Sequence, residues 1–340
     1  MDLEKLYFEI KETIASLDFS KLWNGFEPLK FALYTDKECF FDGNYIEKSD
    51  KFIANTSIFY SGEWIAIWYV QEKLDPVILT SKIVHEMFHG FQMKNNDCRF
   101  PDELNALYNY KYDEENLSLK LWENRLIYNL SAHFDGDMFS ELMQRRKYRH
   151  TAFPYAYHYE AGIEQIEGAA NYVELNCLKQ LSSKLFESKL SKMREEIINP
   201  TNLFPVRAIC YDVGALLLYI MAENGISFDH GFSSESFSES IIKDAEDKIF
   251  ASDNSIKGLL DRYNKKAAEI IRKAKEKNQL VTDESCDLLG VNVYNAIFLE
   301  NHIISTYFVM FGNEKNQRIE YGDFVIETLS SKKVTKIYRI

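Results

Sequence analysis

Hydrophobic and polar positions follow two different periods along this chain. The opening stretch, MDLEKLYFEIKETIASLDF, alternates charged with apolar residues and predicts an amphipathic helix. Residues 29 to 72 are aromatic and β-branched between turn signals. There LKFALYT, CFFDGNYI, KFIANTSIFY and EWIAIWYV predict strands, with Asp42-Gly43 and Ser61-Gly62 as hairpin turns. Asp75-Pro76 supplies an N-cap and a proline at the first helical position, so a helix should run from there to about Met93. Residues 102 to 275 read as almost wholly helical, with breaks near Pro154, near Pro200 and Pro205, and at Gly225. From Val291 the strand pattern returns in NAIFLENHIISTYFVMF, then a polar turn GNEKNQ, then RIEYGDFVIETL and KKVTKIYRI.

Strands, then many helices, then strands again make an α+β arrangement, not a βαβ alternation. Three regions are expected. Residues 1–100 hold the first helix, a mixed or antiparallel sheet and the helix after Pro76; residues 101–285 form a helical subdomain; residues 286–340 form a small β accessory unit. The basic segment RYNKKAAEIIRKAKEK, residues 262 to 277, reads as a solvated helix face.

Composition narrows the function classes. A net charge of −12 on 340 residues argues against a nucleic-acid partner and against an acidic membrane surface. No run of about 18 apolar residues exists, and the N-terminus lacks the pattern of a signal peptide. Five scattered cysteines, Cys39, Cys98, Cys177, Cys210 and Cys286, fit reduced thiols. A cytoplasmic protein with no membrane or nucleic-acid partner is expected.

The chemistry-bearing motif is KIVHEMFHGFQ, residues 82 to 92. Val84, Met87, Phe88 and Phe91 form the core stripe of its helix. His85 and His89 lie off that stripe, about 40° apart and one turn removed, so both imidazoles can reach one ion. Glu86 is turned by about 100°, where its carboxylate can serve as a base beside the metal without ligating it. A catalytic zinc needs a third protein ligand. No histidine follows until His133, so the ligand is expected to be a carboxylate from YEAGIEQIEGAANYVELNCLKQL, residues 159 to 181. In that helix Ile163, Ile166, Ala170, Val173 and Cys177 form the buried stripe, and Glu160, Glu164, Glu167, Asn171 and Glu174 line an adjacent face. Glu160, Glu164 and Glu167 are each candidates.

With those residues in view, the chain resembles the gluzincin metallopeptidases. HEMFH matches their first zinc motif, and EGAANYVE looks like the glutamate-glycine segment of the aminopeptidase N branch. The resemblance implies a zincin-like catalytic core holding one Zn²⁺ per chain on His85, His89 and Glu167. It implies Glu174 as a carboxylate orienting a zinc histidine, with Asn171 beside it on the same face. YDVGALLLYIM resembles the tyrosine-x-x-glycine helix start of that branch, which implies Tyr211 as donor to a developing oxyanion and Gly214 as a point of close helix approach. His158 and His230 are alternative donors. The amine-capturing loop of the aminopeptidases is missing, and SIFYSGEWIAIWYV stands in its place. EWIAIWYV is expected to be an edge strand pairing with an extended peptide, so Trp64, Ala66 and Trp68 are candidate substrate contacts.

The expected activity is zinc-dependent hydrolysis of a peptide or protein substrate, with Glu86 as base and Tyr211 as oxyanion donor. Two alternatives remain: a zinc hydrolase acting on a non-peptide amide, ester or epoxide, and a binding protein on a degenerate peptidase scaffold.

Overall fold

A computed structural model describes residues 2–71, 74–232, 235–253, 255–313, 316–330 and 332–340. Helix α1 (Leu3–Ala15) opens the chain, capped by the Asp2 side chain on the Lys5 N–H. Five short strands follow: β1 (Lys30–Tyr34), β2 (Cys39–Phe41), β3 (Asn44–Ile46), β4 (Thr56–Tyr60) and β5 (Glu63–Tyr69). Asp42-Gly43 and Ser61-Gly62 have positive φ at every residue, the geometry that a two-residue hairpin turn between twisted strands requires.

The sheet order is β3-β2-β1-β5-β4, with β1 and β5 parallel and the other pairs antiparallel. One expectation is corrected here. EWIAIWYV is not an edge strand: β5 lies between β1 and β4, and its backbone is paired on both sides. Its apolar run serves both faces of the sheet, as a central strand needs. Ala66 is buried and Trp68 packs against the same core, which α1 and the next helix cover, while Ile65 and Ile67 face the opposite core with Tyr34 and Phe52. Among the described residues the edges of the sheet are β3 and β4.

Helix α2 (Pro76–Lys94) starts as the Asp75-Pro76 pair dictates, the Asp75 carboxylate accepting from Val77 and Ile78. The helical middle then comprises α3 (Glu103–Asn109), α4 (Glu114–Leu130), α5 (Gly136–Ala152), α6 (Pro154–Ile163), α7 (Ala169–Leu181), α8 (Ser183–Ile198) and α9 (Val206–Glu223). A π-helical turn, Glu164–Gly168, joins α6 to α7. Gly225, at φ +68°, stops α9. Beyond it the expected helical run fails. Among the described residues, 226–256 hold only the single turn α10 (Phe237–Ser240) before α11 (Lys257–Lys277). The Asp229 side chain there accepts from the Gly231 N–H in competition with a helix, and Ser236 caps only the single turn α10.

The C-terminal strands form a second sheet, separate from the first: β6 (Leu280–Thr282), β7 (Cys286–Val291), β8 (Ile297–Leu299), β9 (His302–Ser305), β10 (Phe308–Gly312), β11 (Gln317–Tyr321), β12 (Phe324–Ser330) and β13 (Lys333–Arg339). Its order is β11-β10-β7-β13-β12-β9-β8, with β6 beside β13. The long apolar stretch after Asn295 is three strands and not one, because Glu300 and Tyr307 turn the chain at positive φ. Glu314 and Lys315 of the expected polar turn lie outside the described residues. The sheet begins at Leu280, and α11 buries Ala267, Ile271 and Ala274 against it while its basic face stays exposed. The fold is thus α+β, with a mixed N-terminal sheet, a helical middle and a C-terminal antiparallel sheet. All five cysteines are free thiols, and no helix among the described residues is long and apolar enough to cross a membrane.

Candidate metal centre

Helix α2 is seated tightly against the β4 edge of the first sheet. A Cβ on Gly90 would meet Leu29 Cδ1 at 2.5 Å and Ser57 Oγ at 2.8 Å, so a larger residue there would have to push those two side chains aside. Ser57, on β4, donates its hydroxyl to the Glu86 carbonyl at 2.5 Å. Met87, Phe88 and Val84 are buried as the stripe predicts, which leaves His85 and His89 facing α7.

There the two imidazoles meet Glu167. The Nε2 atoms of His85 and His89 lie 3.1 Å apart, and Glu167 Oε2 lies 3.3 Å from His89 Nε2 and 3.9 Å from His85 Nε2. A tetrahedral zinc with bonds near 2.05 Å sets its ligand atoms about 3.3 Å from one another. Among the described residues this is the single group of three or more His, Cys, Asp or Glu able to hold a metal ion.

The far nitrogen of His89 is hydrogen-bonded as a metal ligand requires, while the buried Nδ1 of His85 has a carboxylate beside it but no hydrogen bond. Gln92 uses its amide N–H on the Ile166 carbonyl at 3.2 Å, so its oxygen faces His89 Nδ1 at 2.8 Å. That contact needs a proton on Nδ1 and leaves the Nε2 lone pair for an ion. Glu174 Oε2 stands 3.6 Å from His85 Nδ1, and its other oxygen accepts from Lys189. Asn171 does not support a histidine. Its amide donates to Asp212 Oδ1 at 3.2 Å, because its position on α7 faces α9.

The local field favours a cation. Burial works against charge on His89, yet Glu167 and Glu86 outweigh it and push the imidazole up to about 9. Burial likewise opposes charge on Glu167, but His89, Arg207 and His85 hold its carboxyl down at about 2. The Glu86 carboxylate makes no hydrogen bond or ion pair among the described residues and is partly exposed.

Glu160 and Glu164 are elsewhere. Both are buried in an ionic network, Glu160 with Lys120 at 2.7 Å and Arg149 at 2.8 Å, and Glu164 with Arg146 at 2.6 Å. The π turn is the physical reason. Its wider winding between Glu164 and Gly168 rotates Glu167 away from the direction of the two earlier glutamates. Gly168 and Gly214 make the crossing of α7 and α9 possible, since a Cβ on Gly168 would lie 2.7 Å from Gly214 Cα.

Tyr211 sits within α9, not at its start, and its enclosed hydroxyl has no hydrogen-bond partner. The alternative donors are not at this site: His158 is exposed and paired with Glu239, and His230 packs on Trp23 and Phe228. Three further contributors to the site, Gln92, Arg207 and Tyr294, belong to no metal-ligand motif in the sequence. Gln92 was the most legible, three residues after His89 on the same helix face. Arg207 donates from Nη2 to Glu167 Oε1 at 3.2 Å and from Nε to Glu103 at 2.9 Å. Tyr294 comes from the C-terminal sheet to lie over Arg207. Burial first, then the nearby charge of Glu167, pushes its hydroxyl up. Compared with protein-family models, with curated proteins and with solved structures, the chain shows no significant match.

Proposed function

We propose that this chain is a zinc-dependent hydrolase that cleaves peptide bonds. The observation that carries the reading is the convergence of His85 Nε2, His89 Nε2 and Glu167 Oε2 within 3.9 Å of one another, with an unpaired carboxylate, Glu86, next to them. The donor set of two imidazoles and one carboxylate suits zinc. When bound, zinc would polarise a substrate carbonyl and bring the pKa of a water molecule to about 7. Glu86, free of competing partners, takes a proton from the attacking water and returns it to the leaving amine. Gln92 keeps His89 in the tautomer that offers Nε2, and Glu174 sets a negative charge 3.6 Å from His85 Nδ1. The Tyr211 hydroxyl, enclosed without a partner, carries a cost of about 1–3 kcal/mol that a substrate oxygen would relieve.

A peptide is favoured over a small amide by the sheet. Strand β4 is an unpaired edge bonded to the metal helix through Ser57, so an extended peptide can add to it beside the site. Backbone pairing at β4 replaces the contacts expected from Trp64, Ala66 and Trp68.

The test is digestion of an unbiased peptide library by the zinc-loaded chain, with cut sites mapped by mass spectrometry. Cleavage that Glu86→Gln reduces by at least about 10²-fold, with zinc content unchanged, is expected. Peptides left intact while small amides or esters are hydrolysed would replace the peptidase reading. A zinc-loaded chain inert toward both would leave a binding protein.

A further inference from the structure

Arg207 joins the metal centre to the C-terminal sheet. It lies on α9, one turn before Tyr211, and is buried with a fractional exposure of 8%. Its guanidinium is held on two sides by carboxylates, Glu103 Oε1 at 2.9 Å and Glu167 Oε1 at 3.2 Å. Glu103 is fixed in turn by the Tyr159 hydroxyl at 2.8 Å. The guanidinium carbon sits 4.6 Å from the Tyr294 ring and 5.0 Å from the Tyr211 ring, with the two rings 6.4 Å apart. The two aromatics therefore make a corner against which the cation rests. Arg207 also lines, with Glu103, Tyr159 and Val293, a cavity of about 40 Å³ that has room for little more than water.

Tyr294 is itself anchored. Its backbone N–H is bonded to the Asn292 side chain at 3.3 Å, and Asn292 is held to the sheet by Ser305 and Thr306. A chain of contacts thus runs from β9 through Asn292, Tyr294 and Arg207 to Glu167.

We propose that Arg207 and Tyr294 form a clamp that restricts Glu167 to one-oxygen coordination, making the C-terminal sheet part of the metal centre. Arg207 occupies Oε1, and Oε2 is the oxygen that faces both histidines. A carboxylate free to present both oxygens would raise the coordination number and take the position a substrate needs. Arginine is required because its planar fork spans Glu103 and Glu167 together, which a lysine ammonium cannot do while lying flat on a ring. Arg207 and Tyr294 are positioning residues and touch no reacting atom. The inference rests on the reading of His85, His89 and Glu167 as a metal centre.

The test uses the full-length chain with Zn²⁺ or Co²⁺ alone. Zinc affinity is measured by competition with a chelator, and coordination by the intensity of the visible Co²⁺ absorption, which falls when a fifth ligand atom joins a tetrahedral site. Arg207→Ala should lose about 10–100-fold in zinc affinity and weaken the cobalt band, and Arg207→Lys should not restore either. Tyr294→Ala should shift both in the same direction, by about 3–10-fold in affinity, while Tyr294→Phe, which keeps the ring, stays at the wild-type values. If Arg207→Ala does not fold, the Tyr294 pair decides alone. Wild-type affinity and spectrum in Tyr294→Ala and in whichever Arg207 variant folds overturn the clamp. A wild-type chain that binds neither ion refutes the metal centre itself, a result the variants cannot mimic.

Discussion

Glu160, Glu164, Glu167 and Glu174 share one stretch of chain, yet the structure gives them three different environments. Glu164 is fully buried against Arg146, with Ser238 and Lys120 close by. Truncating it leaves a buried guanidinium without its main partner, a loss of about 3–5 kcal/mol. Glu164→Ala should therefore lower stability in urea unfolding by that amount and still retain zinc. Glu167→Ala should do the reverse, losing zinc because it removes one of the three ligand atoms. Zinc lost from Glu164→Ala and kept by Glu167→Ala would place the ligand one turn earlier and contradict the geometry. Tyr211→Phe removes one donor and nothing else. A fall of about 10²–10³ in turnover with substrate affinity kept is expected on a verified peptide. A silent Tyr211→Phe would mean that its unpartnered hydroxyl has no role in the chemistry. At this scale the sequence was most legible where one helix carries the whole signal, as with His85, Glu86 and His89. Tyr294 was illegible, because nothing local to Asn292 or Asn295 says that their turn meets Arg207.

The elements that matter are α2, the π turn and the α7–α9 crossing. The start and stripe of α2 follow from Asp75-Pro76 and from Val84, Met87 and Phe88. Ordinary helical periodicity, by contrast, places five polar residues of the α6–α7 stretch on one face. The π turn breaks that register, and no spacing rule announces it. Strand order was hidden for a similar reason: the pairing of β1 with β5 is a long-range choice, and an alternating or apolar run does not declare which strand lies outermost. The crossing is testable. Gly168→Ala puts a Cβ 2.7 Å from Gly214 Cα and 3.1 Å from its carbonyl carbon, so the two helix backbones must separate. A destabilisation of about 1–3 kcal/mol or more is expected, together with weaker zinc retention although every ligand remains. Gly136→Ala is the control, since a Cβ there meets nothing within 4 Å, and it should leave both quantities near the wild-type values. Equal behaviour of the two variants would show that the close crossing does not hold Glu167 in place.

Over the whole molecule, charge is distributed unevenly between the helical middle and the C-terminal sheet. Lys120, Glu123, Arg146, Arg149, Glu160 and Glu164 are all essentially inaccessible, and they link α4, α5, α6 and the π turn. The C-terminal sheet keeps its ion pairs outside, as in Lys333–Asp287 and Arg339–Glu320, where screening leaves little energy, and it buries two apolar cores, one shared with α11 and one with α3 packed against it. Acid should therefore act on the two parts differently. Burial alone would raise the Glu160 carboxyl, but Arg149 and Lys120 outweigh it and hold it down at about 2, against 4.5 for an unperturbed glutamate. A folded pKa below the unfolded one means stability that is fully present above about pH 4.5 and is lost as pH falls towards 2. For Glu160 alone the loss is about 3 kcal/mol. Hydrogen exchange followed from pH 4.5 down to 2 should show α4 and α6 losing protection first, while β12 and β13 stay protected. Glu160→Gln, which has no such proton to bind, should be less stable at pH 7 and flatter across that window. Simultaneous loss of protection in α4 and β12 at every pH would show that the buried ions and the C-terminal cores unfold as one unit.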